Sequence, residues 1–472
     1  MLLHLVRKEL LDQMLSLRFA IACVVCLLVF LLSFGLMTKD YREAMSTYNM
    51  NKTMHRNEVL QITDPWQVGN GVKVDRPLNA LSILVRGVSG DLTESVQVQQ
   101  GNRLQFSKAA EQNAVAALFP DVDFVFIVGI IMSLLALAFA YDAVSGEHES
   151  GVLKLLMSYP VPRDRVILSK WLGGFLALIG PFVIAFLAGL LVALLMPDID
   201  PGIEDTLSVL GLFAIAFLYI SAMYSLGILV SCRTQNASTS ITVLLLIWVV
   251  LILAIPNMSP YVTTQFLPIP SRESVDREKK ELMAEGQRKL EKEVKAEGER
   301  TGEENPMQNT EFREKIMALW KTVEEDGQKL EDGYAARVQA QARWAGFIAR
   351  VSPVTSFNLA AYDLAAASIE QETQFVEALK SYSTTWTEYS SKKQEAFQKY
   401  MEEQQGGGGN VNWANVQEMF KVDLSDHPQF QFNYMPFSER LDLIQLDVLL
   451  LVLWNIILFM VTYLSFLRYD IH

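Results

Sequence analysis

Residues 141–170 read YDAVSGEHESGVLKLLMSYPVPRDRVILSK. The stretch is a polar hinge between two long apolar runs. It opens on the acids Asp142, Glu147 and Glu149 and passes through the amphipathic turn Val152-Leu153-Lys154-Leu155-Leu156. It breaks at Pro160 and Pro162 and closes on Arg163, Arg165 and Lys170. A simple turn between two membrane helices needs only a few residues, and this loop has about thirty. The excess, with a short helix in its middle, predicts that the loop touches something: a separate protein docked on the cytoplasmic side.

Outward from the hinge, the apolar residues of the 472-residue chain gather in six nearly uncharged runs. Each has the length needed to cross a hydrocarbon core roughly 30 Å thick. The expected spans are 18–37, 121–141, 166–196, 207–231, 238–256 and 445–467. The first is longer than the apolar core of a signal peptide and no small-x-small cleavage site follows it. The fold class is therefore mainly α: a polytopic membrane protein with six transmembrane helices. Arg7, Lys8, Arg18, Lys154, Arg163, Arg165, Lys170, Arg233 and Arg468 fall in the termini and in the loops after the second and fourth spans. The loop from Pro197 to Thr206 carries only acids: Asp198, Asp200, Glu204 and Asp205. The positive-inside rule then puts both termini, the tail 468–472 and the 142–165 segment in the cytoplasm. Segments 38–120 and 257–444 lie outside, in the setting of a bacterial inner membrane.

Residues 1–17 read as an amphipathic interfacial helix. Leu2, Leu3, Leu5, Val6, Leu10, Leu11, Met14 and Leu15 recur at helical spacing, with Arg7 and Lys8 facing lipid headgroups. In the first outer segment, Gly101–Leu118 looks helical, and the apolar piece from Pro77 to Gly87 is too short to span. The third span contains Gly173-Gly174 and Pro181, which predict close packing and a kink. Tyr219, Ser221, Tyr224, Ser225 and Gly227 on the fourth either line a polar seam or hold helices together. The second outer segment is helical and coiled-coil-like. One stripe runs Phe312, Ile316, Leu319, Val323, Leu330, Tyr334, Val338, Ala345, Ile348. An aromatic one runs Phe375, Leu379, Tyr382, Trp386, Tyr389, Ala396, Tyr400. The two stripes either bury each other in an antiparallel pair, or part of the second (Tyr382, Trp386, Tyr389) faces an extracytoplasmic protein partner or a second copy of the chain. Gln404–Asn410 is a glycine-rich break.

The chemistry of a self-sufficient machine is missing. No phosphate-cradling G-x-x-x-x-G-K-[ST] occurs. His148-Glu149 begins like a zinc-protease motif, but Val152 stands where the second histidine belongs. The five histidines are not paired at ligand spacing, so no metal or bound cofactor is expected. Cys23 and Cys26, one turn apart in the first span, read as small packing residues. The net charge of −13 argues against nucleic acid as a partner. No charge lies deep in a span, with Asp447 at an outer edge, which argues against a pump running on buried carboxylates. If the chain moves a cargo, the energy comes from elsewhere.

Residues 142–170, with Gly146-Glu147-His148-Glu149-Ser150-Gly151-Val152-Leu153, then Leu155-Leu156, Pro160-Val161 and a basic residue opening the next span, resemble the signature of ABC-2-type transporter permeases. The six-span plan and the amphipathic N-terminal helix match as well. The outer segments look like those of the subfamily with enlarged extracytoplasmic domains, around Phe266–Glu273 and Ser352–Phe357. The resemblance implies a permease, an exporter rather than an enzyme, working as a homodimer or beside a paralogue. An ABC ATPase subunit would bind and hydrolyse ATP for it. Segment 142–165 would couple the two: Glu147 and Glu149 near the helix start, where acids suit the dipole, and Leu153, Leu155, Leu156 and Met157 entering a groove on the ATPase. Asp142, Pro160 and Arg163 complete that element. The alternative is a membrane receptor or assembly scaffold whose outer helical domain binds a protein.

Overall fold

The computed structural model describes residues 2–64, 66–87, 95–99, 103–106, 121–195, 202–302, 306, 309–405 and 422–469. Among the described residues six helices are long and apolar enough to cross a membrane, and the chain is a mainly helical polytopic membrane protein. It divides into two compact units. One comprises Met1–Trp248 with Ser356–His472, the other Val249–Thr355.

In the first unit, α1 (Leu2–Met14) precedes α2 (Leu17–Leu60), whose start is capped by the Ser16 hydroxyl accepting from the Phe19 amide. Helix α2 does not end with its apolar part. It continues to Leu60, about 66 Å in all at 1.5 Å per residue. The second span, α3 (residues 124–140), contains a π-helical stretch at Ile127–Met132. Short helices α4 (Ser145–Glu149) and α5 (Val152–Ser158) follow, then α6 (Arg163–Leu194) and α7 (Ile203–Ser231).

Helix α7 is the hub, with 72% of its apolar window buried, against 28% for α2. Its polar residues hold helices together. Tyr219 donates to the Gly129 carbonyl in the π-helical stretch at 2.8 Å. Ser225 accepts from the Trp171 indole of α6 at 2.8 Å, and Tyr224 donates to the Lys170 carbonyl. Ser221 donates at 2.7 Å to Asn455 on the last span, α13 (Phe437–Leu467). Helix α11 (Pro353–Leu364) enters this bundle too. Phe357 is fully buried, stacked on Tyr219 at 5.0 Å and tilted against Phe124.

Beyond its apolar part, α2 supports a small domain that the sequence reading did not foresee. Strands β1 (Val72–Asp75), β2 (Ser95–Gln99) and β3 (Arg103–Phe106) form an antiparallel sheet in that order, pairing Val72 with Val98 and Val96 with Phe106. The expected helix over Gly101–Leu118 is thus corrected at 103–106, where Leu104 and Phe106 alternate with polar residues and pair as a strand. Residues 101–102 and 107–118 lie outside the described set. The piece from Pro77 to Gly87 buries Leu81, Ile83, Leu84 and Val85 within this unit.

Helix α12 (Ile369–Gln405) carries the aromatic stripe, and its partner is this sheet. Phe375, Leu379, Tyr382 and Trp386 pack with Val68, Val72, Val74, Val96 and Val98 in one core. The Trp386 indole donates to the Val68 carbonyl, and the Ser383 hydroxyl to the Gln99 carbonyl. The expected pairing of the two stripes is therefore replaced: the aromatic face of α12 is covered by the valines of β1 and β2.

In the second unit, the fifth span α8 (Ala237–Phe266) continues from Val249, through a π-helical stretch at Val249–Ala254. Helices α9 (Arg272–Thr301) and α10 (Thr310–Ala349) run antiparallel. Lys279 bridges Glu331 at 2.6 Å and Lys315 bridges Glu293 at 2.7 Å. The stripe of α10 thus meets α9, and Gly286 lies against Val323. The span 257–444 is accordingly not one helical body, because residues from Ser356 onward belong to the first unit.

Candidate functional site

The 141–170 loop folds as two short helices joined at Gly151. That residue adopts φ +75°, a left-handed conformation in which a Cβ is strained even though none would meet a neighbour. The glycine ends α4 and lets the chain restart as α5.

Helix α4 and its flanks are fastened to several parts of the bundle. The amides of Val144 and Ser145 both donate to the Ser231 hydroxyl at the end of α7, at 3.0 and 3.1 Å. Asp142 takes the Arg18 guanidinium at 2.8 Å, and the same guanidinium lies over the Tyr141 ring at 4.8 Å, so the loop is held to the start of α2. Glu147 meets Lys170 of α6 at 2.6 Å, and Lys170 also reaches Glu9 of α1 at 3.3 Å. Lys170 is only 3% exposed, which makes the pair of carboxylates around it a condition of its burial. Glu149 accepts the Ala237 amide at 3.1 Å, satisfying one of the free N–H groups at the start of α8. His148 contacts the Gln235 carbonyl and stands edge-on to Tyr469. At the far end, Arg163 donates to the carbonyls of Leu467 and Tyr469, closing the C-terminus of α13.

Asp142 and Glu147 are thus partly buried fasteners, while Glu149 caps α8 from the surface. The apolar residues divide. Leu153 is fully buried and serves as the plug that seats α5 on the bundle. Leu156 and Met157 are half-buried. Leu155, at 64% exposed, faces away, with Val152 and Tyr159 beside it on the outer edge and Pro160 exposed after them. Val152, Leu155 and Tyr159 thus leave large apolar side chains exposed on and beside α5.

Helix α1 lies against α6. Leu2, Leu5, Val6, Glu9 and Leu10 turn inward, while Leu3 and Leu11 stay exposed. The approach is close: a Cβ at Gly173 would come within 2.7 Å of the Glu9 Cβ. Gly174, next to it, abuts the Tyr224 side chain.

The residues proposed for a partner in the outer domain have different surroundings. Trp386 is fully buried and Tyr382 nearly so, with its hydroxyl donating to the Pro428 carbonyl at 2.8 Å. Tyr389 packs on the same core and donates to Asp426 at 2.6 Å. Burial pushes the Tyr389 phenol up, and its hydrogen bond, with one from Lys393, holds the exposed Asp426 carboxyl below the usual range. These side chains build the domain core. Their assignment to a partner-facing stripe is corrected accordingly.

With this geometry in hand, the chain was compared with known proteins. The family profile described as "ABC-2 family transporter protein" matches residues 3–471. The chain belongs to the ABC-2 transporter family. Two relatives carry the description "probable ABC transporter permease protein NosY". The one from Pseudomonas aeruginosa is 34% identical over 120 residues, 25% of this chain and 43% of the relative. The one from Stutzerimonas stutzeri is 39% identical over 101 residues, 19% of this chain and 36% of the relative. The match thus spans less than half the length of either relative.

The ABC-2 profile takes in nearly the whole chain, so the family resemblance noticed at residues 142–170 is shown for the protein at large. What that stretch did not reveal is its set of anchors: Glu9, Arg18, Ser231 and the backbone ends of α8 and α13. For Lys170 there was a usable signal, since a lysine inside an apolar run must either reach the surface or find acids. Glu9 carried a similar one, as an acid at helical spacing with Leu2, Leu5 and Val6. Ser231 carried none.

Proposed function

We propose that this ABC-2 protein is the transmembrane permease subunit of an ABC transporter of the bacterial inner membrane, an exporter driven by a separate ATPase subunit. The ATPase docks on the outer edge of α5, and Val152, Leu155 and Tyr159 enter a groove on it. One observation carries this reading. Leu155 and its neighbours are exposed on a helix whose other face is seated by Leu153, while α4 beside it is tied by Asp142, Glu147 and Glu149 to α2, α6 and α8. A push on α5 therefore reaches several spans through short, strong contacts. Pairing of two copies is supported by the low burial of α2 and α13, 28% and 22% of their apolar windows, which leaves long faces for a second copy or for lipid. Both termini lie in the cytoplasm, and ATP is bound by the partner alone.

The test is whether an ABC ATPase subunit co-purifies with the tagged chain from its native host. Leu155→Asp places a charge in the proposed contact, and loss of most of the co-purified ATPase is expected from a single buried-interface charge. Glu147→Gln should keep the ATPase bound yet reduce transport-linked hydrolysis. If no ATPase co-purifies with the unaltered chain, or if Leu155→Asp retains it fully, this function is wrong. The scaffold alternative loses Tyr382 and Trp386 as contact residues, because both are packed inside.

A further inference from the structure

The small outer domain holds a cleft of about 90 Å³ between the end of α2, strand β1 and the segment after residue 422. That is room for about three waters, the scale of one phosphate or carboxylate group. In a chain with a net charge of −13, its rim is basic. Lys52 and Arg56 stand one turn apart on α2, with Lys73 facing them from β1.

Two of these three basic charges are left without an acid among the described residues. Lys73 is shared with Glu58 at 3.2 Å. Lys52 rests over the Tyr48 ring at 5.7 Å, and among the described residues no acid pairs with Arg56. The acid inside the cleft, Asp75, is already engaged on both oxygens. One meets His55 Nδ1 at 2.9 Å and the other accepts from the Ser95 hydroxyl at 2.6 Å. His55 is itself 93% buried, since only 7% of it is exposed. With Nδ1 held by Asp75, Nε2 is the nitrogen it can offer to the cleft. With Nδ1–H donated to Asp75, Nε2 serves an anion only as an N–H donor, on a ring protonated at both nitrogens. The Tyr382 hydroxyl is spent on the Pro428 carbonyl, so it does not compete.

We propose that this cleft binds an anionic group, a phosphate or a carboxylate, through Arg56 and Lys52 at its rim and the Nε2–H of a doubly protonated His55 at its floor. The group is either a free anion or the headgroup of an amphiphile. The assignment does not depend on what docks at α5.

Isothermal titration of the full chain in uncharged detergent tests it, with three probes: inorganic phosphate, acetate, and dihexanoyl phosphatidylglycerol. Saturable binding of phosphate or acetate identifies a free-anion site. Saturable binding of the short-chain lipid alone identifies a headgroup site. In either case Arg56→Gln and Lys52→Gln should each weaken binding on the order of tenfold, the usual worth of a charge-assisted contact. Lys392→Gln, an exposed change outside the cleft, should leave it unaltered. Arg56 and Lys52 are exposed, so both variants should keep the thermal midpoint of the unaltered chain. The proposal is overturned if none of the three probes binds saturably at millimolar concentration, or if the Arg56→Gln, Lys52→Gln double variant binds as tightly as the unaltered chain.

Discussion

At the scale of single residues, Lys170 carries the heaviest burden. A lysine with this little exposure is stable only beside Glu9 and Glu147, and the two acids are in turn stable beside it. Lys170→Met should therefore cost on the order of 3–5 kcal/mol, because it strands buried carboxylates. A lowered midpoint in intrinsic-fluorescence unfolding of the detergent-solubilised chain would show this. Adding Glu9→Gln should recover part of the loss, and strict additivity of the two changes would mean that the pair is not coupled. Asp426 gives a pH effect of known sign. Its carboxyl is held below its ordinary value by Tyr389 and Lys393, so the contact stabilises the folded state above the unfolded carboxylate pKa, near ~3.9. That contribution is lost as pH falls through the folded value. Asp426→Asn should be less stable than the parent at neutral pH, by a small amount for so exposed a group, and the gap should close below about pH 4.

At the scale of elements, two contacts decide how helices meet. Helix α1 approaches α6 at Gly173, where any side chain must displace it. Gly173→Val should cost about 1–3 kcal/mol by overpacking and raise hydrogen exchange across residues 2–14. Unchanged exchange there would show that α1 is not held by this contact. Helix α12 docks on the sheet through Trp386, and Trp386→Ala should cost about 3–5 kcal/mol of the domain's stability. The readout is faster proteolysis of α12, with the spans unaffected. The aromatic stripe was legible in the sequence as a helix with one apolar face. What that face covers was not, because the strands are four or five residues long and lie hundreds of positions away. The only local sign of the sheet was alternation, Val72-Lys73-Val74 and Val96-Gln97-Val98, in runs too brief to outweigh the surrounding polarity.

At the scale of the whole molecule, the arrangement of charge predicts the topology. Ser158 on α5 and Ser381 on α12 are both exposed and should lie on opposite sides of the membrane. With the three native cysteines replaced, Ser158→Cys should react with an impermeant maleimide only after the cells are opened. Ser381→Cys should react in spheroplasts that remain sealed. Labelling of both from one side would overturn the orientation. The molecule also shows how an apolar edge can be kept in water: Leu155 remains exposed because Leu153 and the fasteners of α4 prevent the loop from collapsing onto it.

The sequence alone was enough for the six spans, the N-terminal helix and the family. Each of these rests on composition and period within one continuous stretch, where hydrophobic length and helical spacing act locally. Tertiary structure decided the rest: that Asp142 and Glu147 bind inward while Glu149 caps α8 from the surface, that Leu153 is a plug while Leu155 is exposed, that Trp386 lies under a sheet, and that His55 faces a basic cleft. Those outcomes depend on which distant groups satisfy a buried charge or cover an apolar face. Such partners are selected by packing and desolvation in three dimensions, and nothing in the spacing of one segment encodes them.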